Sequence, residues 1–358
     1  NNIPDVTVTG IVVSEGIFST GGQNVFSLIG ENMGPVHATK PSEVDVSVTY
    51  GSVAVAGQEF SALGCEIKKL NGKYGSKISC MSAEMDAPGN PRINMSTNMK
   101  FQVTIEQNIE KDNDQQSIHY SHRSSYSEVS IDYDKPSIIN ISGAVDIPTN
   151  GSSKLILNGT SFGGSHVSPS VDYKPKVAET WFSAGNCKVT INQTQIQCDA
   201  VAGRGKDLEF KVQIFNQGSE THTDSSYKYA NPIISEVKLE EPSSDVMNTD
   251  GKDTNGKDQW IIITGQNFGE TGAHLAPDDM ALEVFHLEQR NKNVTDWWEY
   301  LEWDEVALYY GNGPDKIDNM RSPACQVVTS HTKLKCKTAP GVGKHYQFIV
   351  VVGQQKSN

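Results

Sequence analysis

Apolar and polar residues alternate with a period of two along much of the chain, which is the signature of half-buried β-strands. The clearest run is Val44, Val46, Val48 and Tyr50, set against Asp45, Ser47 and Thr49. Shorter apolar runs at Leu155–Leu157, Trp260–Ile263 and Tyr346–Val352 are strand-sized and lie between clusters of Gly, Asn, Asp and Pro. Strand-length runs with turn signals every roughly 8–12 residues predict β-sandwiches. One stretch, 277–289, leaves its element open. There Met280, Leu282 and Val284 alternate as in a strand, but Pro277 with Asp278 and Asp279 suits a helix start.

The chain also repeats itself. A polar turn, an apolar strand and the pattern Gly-x-[Asn/Ser]-[Phe/Met]-Gly occur at Gly21–Gly34, Gly151–Gly163 and Asp258–Gly269. Each copy is preceded by a proline and alternating apolar residues, at Pro4–Val8, Pro136–Ile141 and Pro232–Val237. The glycines at 30, 34, 159, 163, 265 and 269 are expected to bracket a turn with positive φ. Between them Met33, Phe162 and Phe268 would plug one end of a sandwich. Each copy is followed by two cysteines on strand-like text, as in Cys187-Lys-Val-Thr-Ile and Gln195-Ile-Gln-Cys198, which predicts a hairpin with the cysteines at its base.

The six cysteines, Cys65, Cys80, Cys187, Cys198, Cys325 and Cys336, fall as local pairs separated by 15, 11 and 11 positions. An even count at such spacing points to disulfides and hence to an oxidising compartment. No C-x₂-C spacing supports zinc. Six N-x-[Ser/Thr] sequons, at Asn94, Asn140, Asn150, Asn158, Asn192 and Asn293, favour a glycosylated, secreted or cell-surface protein. The formal net charge of −13, with no Lys/Arg cluster to offset it, disfavours nucleic-acid binding. No apolar run approaches the ~20 residues that span a bilayer. The first residue is Asn with no signal peptide ahead of it, so the chain reads as a processed or excised piece of a longer product.

The blocks resemble the IPT/TIG domain, the immunoglobulin-like module of plexins, certain receptor ectodomains and some transcription factors. The residues that carry the resemblance are the opening Pro-x-Ile, the Gly-x-Asn-Phe-Gly turn, the two-cysteine hairpin and Ala339-Pro340-Gly341-Val342-Gly343 after it. The third repeat fits best. The first has Met33 in place of the aromatic, and the second has Ser161 for Asn and Ala202-Gly203-Arg204-Gly205 for the Pro-Gly turn. The resemblance implies an all-β chain of three tandem immunoglobulin-like β-sandwiches, each with one local disulfide, at 1–135, 136–231 and 232–358. Insertions are expected at about 240–257 and 270–302 of the third. That domain stops at Gly353-Gln-Gln-Lys-Ser-Asn358, where such modules need a last strand like Tyr227-Lys-Tyr-Ala-Asn-Pro232. It would borrow a strand, or the protein continues.

Candidate chemistry is sparse. Gly159-Thr-Ser161-Phe-Gly163 matches the nucleophile elbow by letter, but that elbow joins a strand to a helix in an α/β sheet, which this pattern does not offer. Asp250–Asp258 has the oxygen-rich look of a calcium loop, yet its spacing fails the EF-hand rule and a solvated acidic loop is the expectation. His119 and His122 form no metal pattern. Trp297, Trp298, Tyr300 and Trp303 cluster beside the Asn293 sequon, as an interface or as a satellite core of the insertion. No catalytic residue, metal or cofactor is expected. The reading is a non-enzymatic extracellular glycoprotein, the structural subunit of a cell-surface or flagellar-hair-like filament or an adhesive rod. Its partners would be proteins, including copies of itself head to tail, with N-linked glycans. The alternatives are a cell-cell recognition receptor ectodomain and the accessory modules of a carbohydrate-active enzyme.

Overall fold

The computed structural model describes residues 5–13, 17–33, 44–51, 59–70, 73–83, 97–110, 117–240, 246–274, 306–312 and 320–357. The regular elements among them are all β-strands, arranged as three tandem immunoglobulin-like sandwiches. In the first, β1 (Thr7–Val13), β2 (Val25–Glu31), β5 (Leu63–Leu70) and β6 (Lys73–Met81) form a sheet in the order β1-β2-β6-β5. Facing it are β3 (Val44–Gly51), β4 (Glu59–Ser61), β7 (Met99–Glu110) and β8 (Ser117–Arg123), ordered β4-β3-β7-β8, with β9 (Ser130–Ile131) also on β7.

The second module repeats this layout. One sheet is β10-β11-β15-β14, from β10 (Ser137–Ser142), β11 (Lys154–Thr160), β14 (Gly185–Ile191) and β15 (Gln195–Asp199). The other is β13-β12-β16-β17, from β12 (Ser170–Pro175), β13 (Phe182–Ser183), β16 (Leu208–Ile214) and β17 (Gln217–Gly218), with β18 (His222–Thr223) on β16. In the third, β19 (Ile233–Leu239), β20 (Trp260–Gln266), β21 (Gly272–His274), β24 (Cys325–Thr329) and β25 (Lys333–Lys337) run β19-β20-β25-β24-β21. Opposite lie β22 (Val306–Asn312), β23 (Met320–Arg321), β26 (Tyr346–Val352) and β27 (Gln355–Lys356), in the order β23-β22-β26-β27.

The period-two pattern places the core. Val48 and Tyr50 of β3 turn inward onto Phe26 and Leu28 of β2, while Asp45 and Ser47 face water. Leu155, Leu157, Tyr173 and Phe210 fill the second core, and Ile261, Ile263, Leu308 and Val350 the third. Each such side chain contributes roughly 1.5–3 kcal/mol on burial. β22 departs from the alternation. Val306, Leu308 and Tyr310 join the third core, but Ala307 and Tyr309 are buried too, forming with Val351 a second cluster on the outer face.

The repeated glycine motif works differently from the expectation. Gly163 and Gly269 do carry positive φ, but so do Asn32, Ser161 and Asn267 between the glycines. The leading glycine is needed for close approach instead. A Cβ at Gly159 would lie 2.0 Å from the Ser137 carbonyl oxygen and 2.4 Å from Phe162 Cζ, and Gly265 meets Ile233 and Phe268 in the same way at 1.9 and 2.5 Å. The plug residues Met33, Phe162 and Phe268 are fully buried against it. Asn is suited to the positive-φ position, and here its amide has a second use. Asn32 Nδ2 donates to Asp5 O and Asn267 Nδ2 to Asn231 O, both at 3.0 Å, tying the turn to the entry of the module's first strand.

The cysteines bond as Cys65–Cys80, Cys187–Cys198 and Cys325–Cys336. Each disulfide staples a hairpin, β5–β6, β14–β15 or β24–β25, within one sheet. Loops of this length give roughly 2.5–3 kcal/mol through the entropy of the unfolded chain. The module's first strand bulges at the same place each time, between Val8 and Gly10, Ile138 and Asn140, and Ile234 and Glu236. That bulge turns Ile139 out to solvent, against its apolar character.

Candidate functional site

Two features recur along the chain, and together they define the surfaces available for work. The first is a tyrosine lock at one end of the sandwich. Tyr50 OH accepts from Ala83 N at 2.8 Å, Tyr133 OH donates to Ala83 O at 3.0 Å, and the two hydroxyls lie 3.0 Å apart. In the second module Tyr173 OH accepts from Val201 N at 2.9 Å, Tyr229 OH donates to Val201 O at 2.9 Å, and the hydroxyls are 3.1 Å apart. Burial raises all four phenols, Tyr50 to about 12. The segment carrying the second tyrosine lies parallel to the turn before the second strand. Phe18 N donates to Asp132 O and Asp134 N to Phe18 O, while Ile147 N donates to Lys228 O and Ala230 N to Ile147 O.

The second feature is the junction between modules, which is built twice from equivalent residues. Gln217, in the hairpin after β16, donates from Nε2 to Tyr133 O at 2.8 Å, and Gln355, in the hairpin after β26, donates to Tyr229 O at 2.8 Å. Both glutamines are buried. Thr20 hydrogen-bonds Gln193 at the first junction, and Thr149 Oγ1 pairs with His331 Nδ1 at 2.9 Å at the second. Gln193 and His331 hold the same place in their hairpin turns, with φ of 66° and 65°. Phe215 packs against both the first and the second core. At the second junction Gly353 passes so close to Gly205 that a Cβ on it would lie 2.6 Å from Gly205 N. Burial at this contact lowers the His331 imidazole, partly opposed by the nearby Glu270 charge.

The third module departs from its siblings at the tyrosine end. Ala339 N donates to Tyr310 OH at 2.6 Å, the first half of the lock. Among the described residues no second tyrosine hydroxyl joins it at Ala339; Tyr346 packs edge-on against the Tyr310 ring instead, with the centroids 5.6 Å apart. Met247 occupies the place of Phe18 and Ile147, at the start of a turn closed by Gly251 N to Asn248 O as its siblings close theirs by Gly22 N to Ser19 O and Gly151 N to Pro148 O. The stretch expected as an insertion at 240–257 therefore contains, at 247–251, an element of the module itself. Phe18 and Ile147 are fully buried, but Met247 is half-buried and its backbone bonds to no described residue. Phe348, the counterpart of the fully buried Phe101 and Phe210, is half-buried, as are Val237 and Leu239. The result is a groove of about 610 Å³ floored by apolar side chains.

Among the sequons, Asn140, Asn150 and Asn192 are exposed. Asn192 adjoins Gln193 and Asn150 adjoins Thr149, so each flanks a junction. Asn158 is half-buried, with Nδ2 donating to Asn140 Oδ1 at 2.9 Å and Oδ1 accepting from Gln195 Nε2 at 3.1 Å. Asn94, Asn293 and the aromatic cluster Trp297, Trp298, Tyr300 and Trp303 lie outside the described residues, as does 277–289. Ser161 sits at φ 59° after an antiparallel strand, not on a strand-to-helix elbow. The acidic loop spends its carboxylates internally. Asp253 Oδ1 accepts from Asn255 N and Lys257 N at 2.8 and 2.7 Å, and Lys252 and Lys337 hold the Asp258 carboxyl down at about 2.

The class defined by this architecture is a tandem of immunoglobulin-like β-sandwiches. No family model matches the chain, and no curated protein matches it. Among solved structures it is similar to the full extracellular region of plexin A4, at 14% identity and a TM-score of 0.23, covering 99% of this chain and 23% of that one. It is also similar to SGBP-B from a complex xyloglucan utilization locus in Bacteroides uniformis, at 10% identity and 0.23, covering 99% of both chains. A third likeness is to domains A168–A170 from titin, at 12% identity and 0.22, covering 100% of this chain and 94% of that one.

Proposed function

We propose that the chain is a non-enzymatic extracellular glycoprotein of the IPT/TIG kind, a stiff rod that acts through protein–protein contacts as the structural subunit of a cell-surface or flagellar-hair-like filament or as an adhesive rod. The observation that carries this reading is the duplicated junction. Gln217 to Tyr133 O and Gln355 to Tyr229 O are the same buried bond made twice, each backed by the Thr20–Gln193 or Thr149–His331 contact. Modules docked by a repeated contact, with no flexible linker between them, hold one angle and one spacing, which a linear scaffold requires. The three disulfides support an oxidising compartment. Exposed Asn140, Asn150 and Asn192 support glycan attachment.

Electron microscopy of the native material tests the proposal. Regular fibres are expected. Monodisperse rods in solution would move the function to a recognition ectodomain, and hydrolysis in a glycan activity screen would overturn the non-enzymatic reading.

A further inference from the structure

We propose that the third module carries a binding site for a neutral sugar, about one hexose ring in size, in a small cavity walled by Trp260. The site lies within one module, so it stands whether or not the rod assembles into fibres. A comparison inside the molecule exposes it. Gly22, Gly151 and Gly251 close the same turn. From that glycine to the first residue of the next strand is three positions in the first two modules, to Val25 and Lys154, and nine in the third, to Trp260. The added residues fold back on themselves, through the Lys252–Asp258 bridge and Asp253 N donating to Lys257 O. At the strand position an indole, half-buried, replaces valine or lysine. The sandwich itself needs neither change, since the first two modules pair the same strands without them.

The insertion and the indole meet at a cavity of about 350 Å³, lined by Glu240, Asp253, Lys257, Asp258, Gln259 and Trp260. That is the small end of the range for ligand sites. Lys335 and Lys337 hold the indole from outside, with ammonium groups 4.9 and 5.5 Å from the ring centroid, and neither lines the cavity. The ring surface turned to the cavity is therefore not the one the lysines cover. The charges cancel locally: Asp258 is paired with Lys252 and Lys337, and Glu240 with Lys335. An ion of either sign meets both signs of charge there, so the cavity favours a neutral ligand. Hydrogen-bonding capacity remains. Asp253 spends Oδ1 on Asn255 N and Lys257 N, and Gln259 spends Oε1 on Asn248 N. Asp253 Oδ2, Gln259 Nε2 and Lys257 Nζ bond to no described residue. One spare acceptor and two spare donors beside an aromatic wall match a pyranose, whose hydroxyls both donate and accept and whose C–H face packs on an indole.

The test uses the intact protein with its tryptophans labelled with nitrogen-15, which gives one indole N–H signal for each of the five. Methyl β-glucoside, methyl β-galactoside and methyl α-mannoside are titrated separately, with sodium sulfate and calcium chloride as ionic comparisons. Saturable movement of the Trp260 signal by at least one glycoside is expected, with a dissociation constant on the order of millimolar, as suits so small a ligand. Trp260→Ala identifies the signal. By calorimetry that variant and Lys257→Ala should each weaken the glycoside about tenfold. Lys257 is exposed and its side chain bonds to no described residue, so its variant keeps the fold and keeps the test decisive if Trp260→Ala does not. No response to any of the three glycosides, unchanged affinity in Lys257→Ala, or movement of the Trp260 signal by sulfate or calcium instead of a glycoside would each overturn the proposal.

Discussion

At the residue scale, the tyrosine locks concentrate polar energy in otherwise apolar cores. Each places two phenols within reach of one backbone amide and one carbonyl, so no buried donor or acceptor of the pair is left bare. Tyr229→Phe removes the donor to Val201 O, and a cost of about 1–2 kcal/mol is expected by denaturant unfolding. The raised phenols also set an alkaline limit. A phenol whose folded pKa lies above its unfolded value of 10.0 contributes its full stability below that pH. As pH rises past it, the unfolded chain ionises while Tyr50, held at about 12, and the more strongly raised Tyr133 stay neutral. Stability is therefore expected to fall steeply from about pH 10 upward, with the part of the tyrosinate absorbance at 295 nm that is lost in Tyr50→Phe and Tyr133→Phe appearing together with unfolding and not before it. The glycan acceptors differ at the same scale. Asn158 already spends its amide on Asn140, whereas Asn150 and Asn192 are exposed beside the junctions.

At the scale of elements, the recurring unit is a bulged first strand, a glycine that admits a neighbouring carbonyl, and a buried plug. The glycine is the sharpest point of failure. In Gly265→Ala the new Cβ would fall 1.9 Å from Ile233 O, and a backbone oxygen cannot retreat without breaking the β19–β20 ladder. A loss of roughly 3 kcal/mol or more is expected, read as selective melting of the third module. The same unit explains why the pattern tolerates Ser161. The position must accept a positive φ, but the side-chain bond that Asn32 and Asn267 make to the strand entry is an addition the second module does without. The hairpin disulfides act locally, between neighbouring strands of one sheet, so they add nothing to the link between the two sheets, which side-chain packing and bonds such as Ala83 N to Tyr50 OH and Val201 N to Tyr173 OH supply.

At the scale of the whole molecule, stiffness depends on a few buried bonds per junction. Each is worth about 1 kcal/mol net, so their loss loosens docking without unfolding a module. The double substitution Gln217→Ala with Gln355→Ala is expected to broaden the end-to-end distance distribution in small-angle scattering while leaving circular dichroism unchanged. The second junction is also expected to sense acid and the first not. His331 is docked neutral, with its pKa lowered below the ordinary 6.5. Its contribution to docking is complete above 6.5 and declines as pH falls below it, because the undocked imidazole takes up a proton more readily. At the first junction Gln193 holds that place and does not titrate. Scattering at pH 5 against pH 7.5 should show loosening that His331→Gln abolishes.

The sequence alone determined the strand pattern, the threefold repetition and the cysteine pairing, because each is written in short-range order: a period of two, a glycine motif, cysteines 11 or 15 positions apart. It also marked Met33, Phe162 and Phe268 as plugs, since an apolar residue between two turn glycines has one place to go. It misread the leading glycine as a conformational need, because the carbonyl that crowds Gly265 comes from a strand about thirty residues away in the chain. Nor did it mark Gln217, Gln355 or the tyrosine pairs. Their partners lie 84, 126, 83 and 56 residues off, and a single polar letter carries no period. The tertiary structure decided how the modules dock, since docking depends on surfaces that exist only after each core has closed.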